Sequence, residues 1–104
     1  MGRIPRLTPD YIAAKERLGI GAGSPAARAL ARVVLELVAA EQLPLLDDVQ
    51  APLPRIVVGS TGLRVVTAYA RRVKNRRLWL WYLPRGGEVV ELVLVTSAPP
   101  RVLE

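Results

Sequence analysis

The chain has no cysteine, no histidine and no phenylalanine. Without cysteine there are no disulfides and no thiol nucleophile, and without both residues there is no Cys/His zinc site. Histidine's role as general base is likewise closed. Long apolar runs are missing: none approaches the ~20 residues of a membrane-spanning helix. Residues 1–10 carry two prolines and no apolar stretch of the kind a secretory leader needs. The expectation is therefore a cytoplasmic protein with no membrane partner. No credible carboxylate cluster or cofactor motif is present, so neither a metal nor a cofactor is expected.

Acid is scarce in one half only. Residues 1–54 hold six basic and six acidic side chains, whereas residues 55–104 hold nine basic and three acidic, so the whole net charge of +6 lies in the second half. Between positions 64 and 85 stand Arg64, Arg71, Arg72, Lys74, Arg76, Arg77 and Arg85 with no acid among them. A one-sided excess of this kind sets up a positive field that attracts polyanions. The plainer account is solubility with a bias toward arginine, which outnumbers lysine thirteen to two. Arginine and proline abundance also fits a thermophile's composition.

What is present is a globular composition, 51% hydrophobic and 23% charged over 104 residues, enough for a single domain spanning 1–104. Thr8-Pro9-Asp10 reads as a helix start: a capping hydroxyl, a proline suited to the first helical position and an acid at the positive end of the dipole. Leu7 and Ile12 are spaced for a hydrophobic staple, Tyr11, Ala14 and Leu18 share a face, and Gly19 ends the helix. Ser24-Pro25 starts a second helix by the same logic. Its apolar stripe is Leu30, Val33, Val34, Leu37 and Val38, and Arg28, Arg32 and Glu36 lie opposite. The glycines at 19, 21 and 23 do not make a phosphate loop, because a helix rather than a strand precedes them and no Gly-Lys-Ser/Thr follows.

Residues 43–54, with three prolines and the Asp47-Asp48 pair, read as a solvated surface crossing. A meander follows. Residues 55–58 form a short strand ended by Gly59-Ser60-Thr61-Gly62. Residues 63–73 form a long strand, Lys74-Asn75 turns, and residues 76–83 return. Arg85-Gly86-Gly87 turns again, and residues 88–96 close the sheet. The predicted fold is α+β: a helical part over 1–43 with two N-terminal helices, covering one face of a roughly four-stranded antiparallel sheet over 55–98. By alternation Leu78, Leu80 and Tyr82 oppose Trp79, Trp81 and Leu83, while Val90, Leu92 and Leu94 oppose Val89, Val93 and Val95. Both faces are apolar, so the second awaits a cover beyond the helices. Trp79 and Trp81 beside the basic stretch fit bases stacked on indoles with phosphates on arginines. The same pair fits an ordinary core or a dimer interface.

The order of elements resembles the RelE/ParE/HigB family of toxins from toxin–antitoxin pairs. The likeness lies in Leu63-Arg64-Val65-Val66-Thr67-Ala68-Tyr69, in Leu78-Trp79-Leu80-Trp81-Tyr82 followed by Arg85, and in residues 3–11, which are similar to that family's first strand leading into helix one. The resemblance implies a metal-independent mRNA endonuclease or a gyrase-directed toxin, held by an antitoxin partner. Arg64 matches that family's strand arginine, and Arg85 and Arg101 are, by placement only, candidate stabilisers of charge on the phosphate. The chain departs from the RNA-cleaving pattern after Val95, where Thr96-Ser97-Ala98-Pro99-Pro100-Arg101 holds neither Tyr nor His, and arginine, with a pKa above ~12, is a poor proton acceptor. The candidate nucleic-acid contacts are Arg71, Arg72, Lys74, Arg76, Arg77, Trp79 and Trp81, with RNA the expected partner. The alternative is a non-enzymatic interaction protein whose second sheet face forms a homodimer or docks a protein.

Overall fold

Thr8 and Ser24 perform the capping roles expected of them in a computed structural model of the chain, which describes residues 2–59, 62–86 and 88–101, the backbone path alone for 54–59 and 62–66. The Thr8 hydroxyl accepts from the Tyr11 N–H at 3.2 Å and opens α1 (Pro9–Arg17); the Ser24 hydroxyl accepts from Ala27 N–H at 3.1 Å and opens α2 (Pro25–Ala39). Gly19 takes φ 69°, the left-handed conformation that lets the chain leave α1 without a Cβ clash. Tyr11 and Ala14 of α1 and Leu30, Val33 and Leu37 of α2 are buried, as the spacing requires. Leu7 and Ile12 stay half-exposed.

The sheet has five strands rather than four, and it is mixed. β1 (Ile4–Leu7), β2 (Val49–Gly59), β3 (Gly62–Val73), β4 (Leu78–Arg85) and β5 (Val89–Thr96) lie in the order β1-β5-β4-β3-β2, with β1 parallel to β5 and the other pairs antiparallel. The two helices carry the chain from β1 to β2 at the far edge of the sheet, and the meander brings it back to β5 beside β1. All four β1 residues are exposed, so no period-2 alternation marks it as a strand. Two bonds tie it at its ends, Ile4 N–H to Glu88 C=O at 2.8 Å and Thr8 N–H to Leu92 C=O at 3.2 Å.

β2 begins at Val49, six residues earlier than the proline content allows one to expect. It is an edge strand, where Pro52 and Pro54 withhold no ladder bond that matters, and its register slips between Pro52 and Ile56. The expected turn at Ser60-Thr61 and the residue Gly87 lie outside the described residues.

Face assignments in β5 also differ from simple alternation. Trp81 pairs with Leu94 but Tyr82 with Leu92, which leaves Val93 as the extra residue of a bulge. Beyond it the faces exchange. Leu94 joins Trp81 on one face, and Val95, paired with Leu80, joins the other, so the grouping of Val90, Leu92 and Leu94 does not hold. The main core lies between the helices and a layer formed by Val73, Leu78, Leu80, Tyr82, Val90, Leu92 and Val95, every one of them buried.

No glycine follows α2. The Arg3 guanidinium instead donates to the carbonyls of Ala40 and, at 3.0 Å, Glu41. This places a cation at the negative end of the helix dipole and anchors β1 to it.

Candidate nucleic-acid interface

The β3–β4 hairpin turns through residues 74–77, so Arg76 and Arg77 belong to the turn and not to the returning strand. Asn75 has φ 61°, a left-handed value that asparagine tolerates, and Arg76 N–H donates to Val73 C=O at 3.3 Å. Lys74, Arg76 and Arg77 are exposed there. One step down the ladder Arg72 pairs with Trp79, which sets an exposed guanidinium beside a half-buried indole. Asp47, Arg71, Arg72, Lys74, Asn75 and Trp79 together line a groove of about 510 Å³. Arg72, Lys74, Arg76 and Arg77 make no ion pair among the described residues, so their charge is open to a ligand.

Arg71 lines the same groove but is already engaged. It donates to Asp48 Oδ1 at 2.8 Å and to Glu36 Oε2 at 2.7 Å. The Asp48 side chain is fully buried and spends its other oxygen on the Tyr82 hydroxyl and on the Leu45 N–H at 3.0 Å. This network clamps the crossing segment and α2 to the sheet. Asp48 is thus a core ion rather than a solvated turn residue. Breaking a buried pair of this type costs about 3–5 kcal/mol, because the remaining charge is left uncompensated. Burial pulls the Arg71 pKa down, but the bonds to Asp48 and Glu36 outweigh it, and the net direction is upward. Burial first, and then the bond to Asp48, push the Tyr82 phenol far above its ordinary value. Tyr82 is therefore held protonated and cannot serve as a base near neutral pH.

Trp81 is not at the surface. Its relative exposure is 1%, its partner across the ladder is the fully buried Ala70, and its Nε1–H donates to Thr96 Oγ1 at 2.9 Å. Ala51, Ala68 and Leu94 on the same face are also buried. The apolar face that was expected to await a partner is covered within one chain around Trp81. Pro52, Leu53, Thr96, Ala98, Pro99, Pro100 and Arg101 line, with Trp81, a cleft of about 460 Å³ there. A stacking role at this hairpin falls to Trp79 alone.

The three arginines singled out for charge stabilisation are not brought together among the described side chains. Arg85, at the far end of β4 from the hairpin, pairs with Glu91 at 3.3 Å and lines a cavity beside Arg3 and the end of α2. Arg101 lines the cleft beside Trp81. Arg64 stands on β3 opposite Val57, and its side chain is outside the described residues. Sequence reasoning passed over Asp48, Asp47 and Asn75 as members of the site. The partner of Asp48 lies 23 residues away, and no local spacing announces it.

No protein-family model matches the chain, and no curated protein or solved structure is significantly similar to it. Among the described residues, no group of three or more His, Cys, Asp or Glu side chains is placed to hold a metal ion, and no helix is long and apolar enough to cross a membrane.

Proposed function

We propose that this protein binds single-stranded RNA through the β3–β4 hairpin. The observation that carries the reading is the placement of Arg72 and Lys74, unpaired among the described residues, in one groove with the half-buried Trp79, with Arg76 and Arg77 exposed in the adjoining turn. Stacking on an indole contributes about 1–3 kcal/mol per base and tolerates any sequence, while guanidinium and ammonium groups follow the phosphates. A strand leading directly into α1, and a basic meander, accord with the toxin-like resemblance, as does RNA as the ligand. The reading is of a binding protein. It assigns no bond cleavage, because Arg85 and Arg101 line separate cavities and Tyr82 is locked to Asp48.

The test is a tryptophan-fluorescence titration with a uridine decamer, run on the native chain and on the variant with Arg72, Lys74, Arg76 and Arg77 all changed to Ala. Native protein is expected to show quenching from Trp79 that the fourfold variant loses, with affinity down at least about tenfold. These four side chains are exposed and unpaired among the described residues, so the variant is expected to retain its fold. Equal RNA affinity in the two proteins would overturn the proposal. The Arg71 pair is left intact, because its loss would report on stability instead.

A further inference from the structure

Asp47 is out of character in its surroundings. It lines the groove together with Arg71, Arg72 and Lys74, it is exposed, and it makes no ion pair or hydrogen bond among the described residues. Its neighbour Asp48 is fully committed to Arg71, Tyr82 and the Leu45 N–H. A groove that served phosphate alone would be weakened by a free carboxylate, since the charge repels the ligand it is meant to hold. What the carboxylate offers is two acceptor oxygens side by side, with no donor. Asn75, which lines the same groove, offers an amide with both donor and acceptor atoms.

We propose that Asp47 makes this groove selective for guanine. The inference rests on the single-stranded RNA reading given above. The Watson–Crick edge of guanine presents N1–H and N2–H₂ as adjacent donors with the O6 acceptor beside them. Asp47 accepts from the two donors and the Asn75 amide donates to O6, while the base stacks on Trp79 and the flanking phosphates meet Arg72 and Lys74. Uracil presents one N–H between two acceptors, and adenine and cytosine each present one amino group beside an acceptor nitrogen. None of them places two donors together on that edge. Single-stranded RNA leaves this edge free for such reading.

Fluorescence anisotropy with 5′-labelled pentamers tests it. The pentamers are UUGUU, UUUUU and UUIUU, in which inosine lacks only the 2-amino group. The native chain is expected to bind UUGUU about tenfold more tightly than UUUUU, with UUIUU between them, because each bidentate base contact contributes discrimination of that order. Asp47→Asn separates the two possible roles of the carboxylate. If Asp47 reads guanine, the variant binds UUGUU more weakly and UUUUU more tightly, since a specific acceptor and a repelling charge leave together. If the variant tightens on all three pentamers by one factor, Asp47 is only a repelling charge and the proposal falls. Equal binding of UUGUU and UUUUU by the native chain overturns the guanine assignment and leaves the RNA reading standing. Failure of the native chain to bind any of the three overturns both.

Discussion

Tyr82 is the side chain whose ionisation the fold controls most strongly. Its hydroxyl donates to the buried Asp48, and burial together with that carboxylate raises its pKa well above the ordinary value near 10. In the unfolded chain the phenol ionises above about pH 10; in the folded chain it keeps its proton. The native state therefore binds the extra proton in that range, and its stability falls as pH rises above 10, by about 1.4 kcal/mol per pH unit for a single group. Below pH 10 both states are protonated and Tyr82 contributes no slope. Tyr11, raised by burial, adds to the same loss. Urea unfolding followed from about pH 9 to pH 11 is expected to show this decline, and Tyr82→Phe to flatten it by about half. An unchanged slope in that variant would mean that the phenol ionises in the native state as freely as in the unfolded one. The Arg72 and Asp47 side chains, by contrast, lie exposed and unpaired among the described residues, so substitution there is expected to have little effect on the fold.

Among the elements, β5 carries the most consequential irregularity. One residue, Val93, is inserted opposite the Trp81-Tyr82 step, and the bulge takes it up so that later residues of the strand face the sides opposite to those of strict alternation. With the bulge, Leu94 covers the Trp81 side, Val95 covers the helix side, and Thr96 reaches the Trp81 indole. Deleting Val93 would leave a regular ladder in which Leu92 still meets Tyr82, Leu94 still meets Trp81 and Val95 still meets Leu80, so the faces and the Thr96 hydroxyl stay in place. The deletion is expected to retain the near-ultraviolet circular-dichroism signal of the buried indole. Val93→Ala keeps the extra residue, and is expected to retain the signal at a cost of about 1 kcal/mol. A deletion variant that lost this dichroism would show that the bulge itself, and not only the pairing on either side of it, holds the indole in place. The two edge strands share a different device. Pro5 in β1 and Pro52 and Pro54 in β2 lack the N–H that a further strand would need, which discourages pairing between sheets.

Across the whole molecule, the uneven charge of the chain becomes a place. The Cα radius of gyration is 13.4 Å, close to the ~13 Å of a compact domain of this length, so the entire surface lies within a few Debye lengths of the hairpin. The first half of the chain brings both signs, and its acids are partly consumed internally, Glu36 and Asp48 on Arg71. Arg6 and Arg85 share Glu91 at the other end of the sheet. The four hairpin cations are left without such partners among the described residues. RNA binding is expected to weaken steeply with salt: four phosphate contacts to a single strand give a log–log slope near −2.8, about fiftyfold between 50 and 200 mM. Titrations at several salt concentrations check this, and a flat dependence would mean that the arginines and lysine do not meet phosphate.

Local rules were legible where a neighbour in sequence is also the neighbour in space. The caps at Thr8 and Ser24, the apolar stripe of α2, the turn at Lys74-Asn75 and the antiparallel meander all follow from interactions spanning a few residues. β1 is suggested only by the family resemblance and not by residue pattern, because its pairing with β5 joins residues 85 apart, as in Ile4 with Val89, and because an exposed four-residue edge strand carries no hydrophobic period. Trp79 and Trp81 look alike in sequence, one period apart on one face. Only the assembled sheet separates them, by placing Ala70 and Thr96 against Trp81 and Arg72 beside Trp79. Arg71 and Arg72 divide in the same way: adjacent residues of a strand face opposite sides, and the helix side holds Glu36 and Asp48. The sequence by itself determined the class of fold, the two helices and the positive charge of the second half. The tertiary structure alone decided which cations are spent and which remain free, because the partners that neutralise a charge are distant in the chain and meet it only when the sheet and helices close on one another.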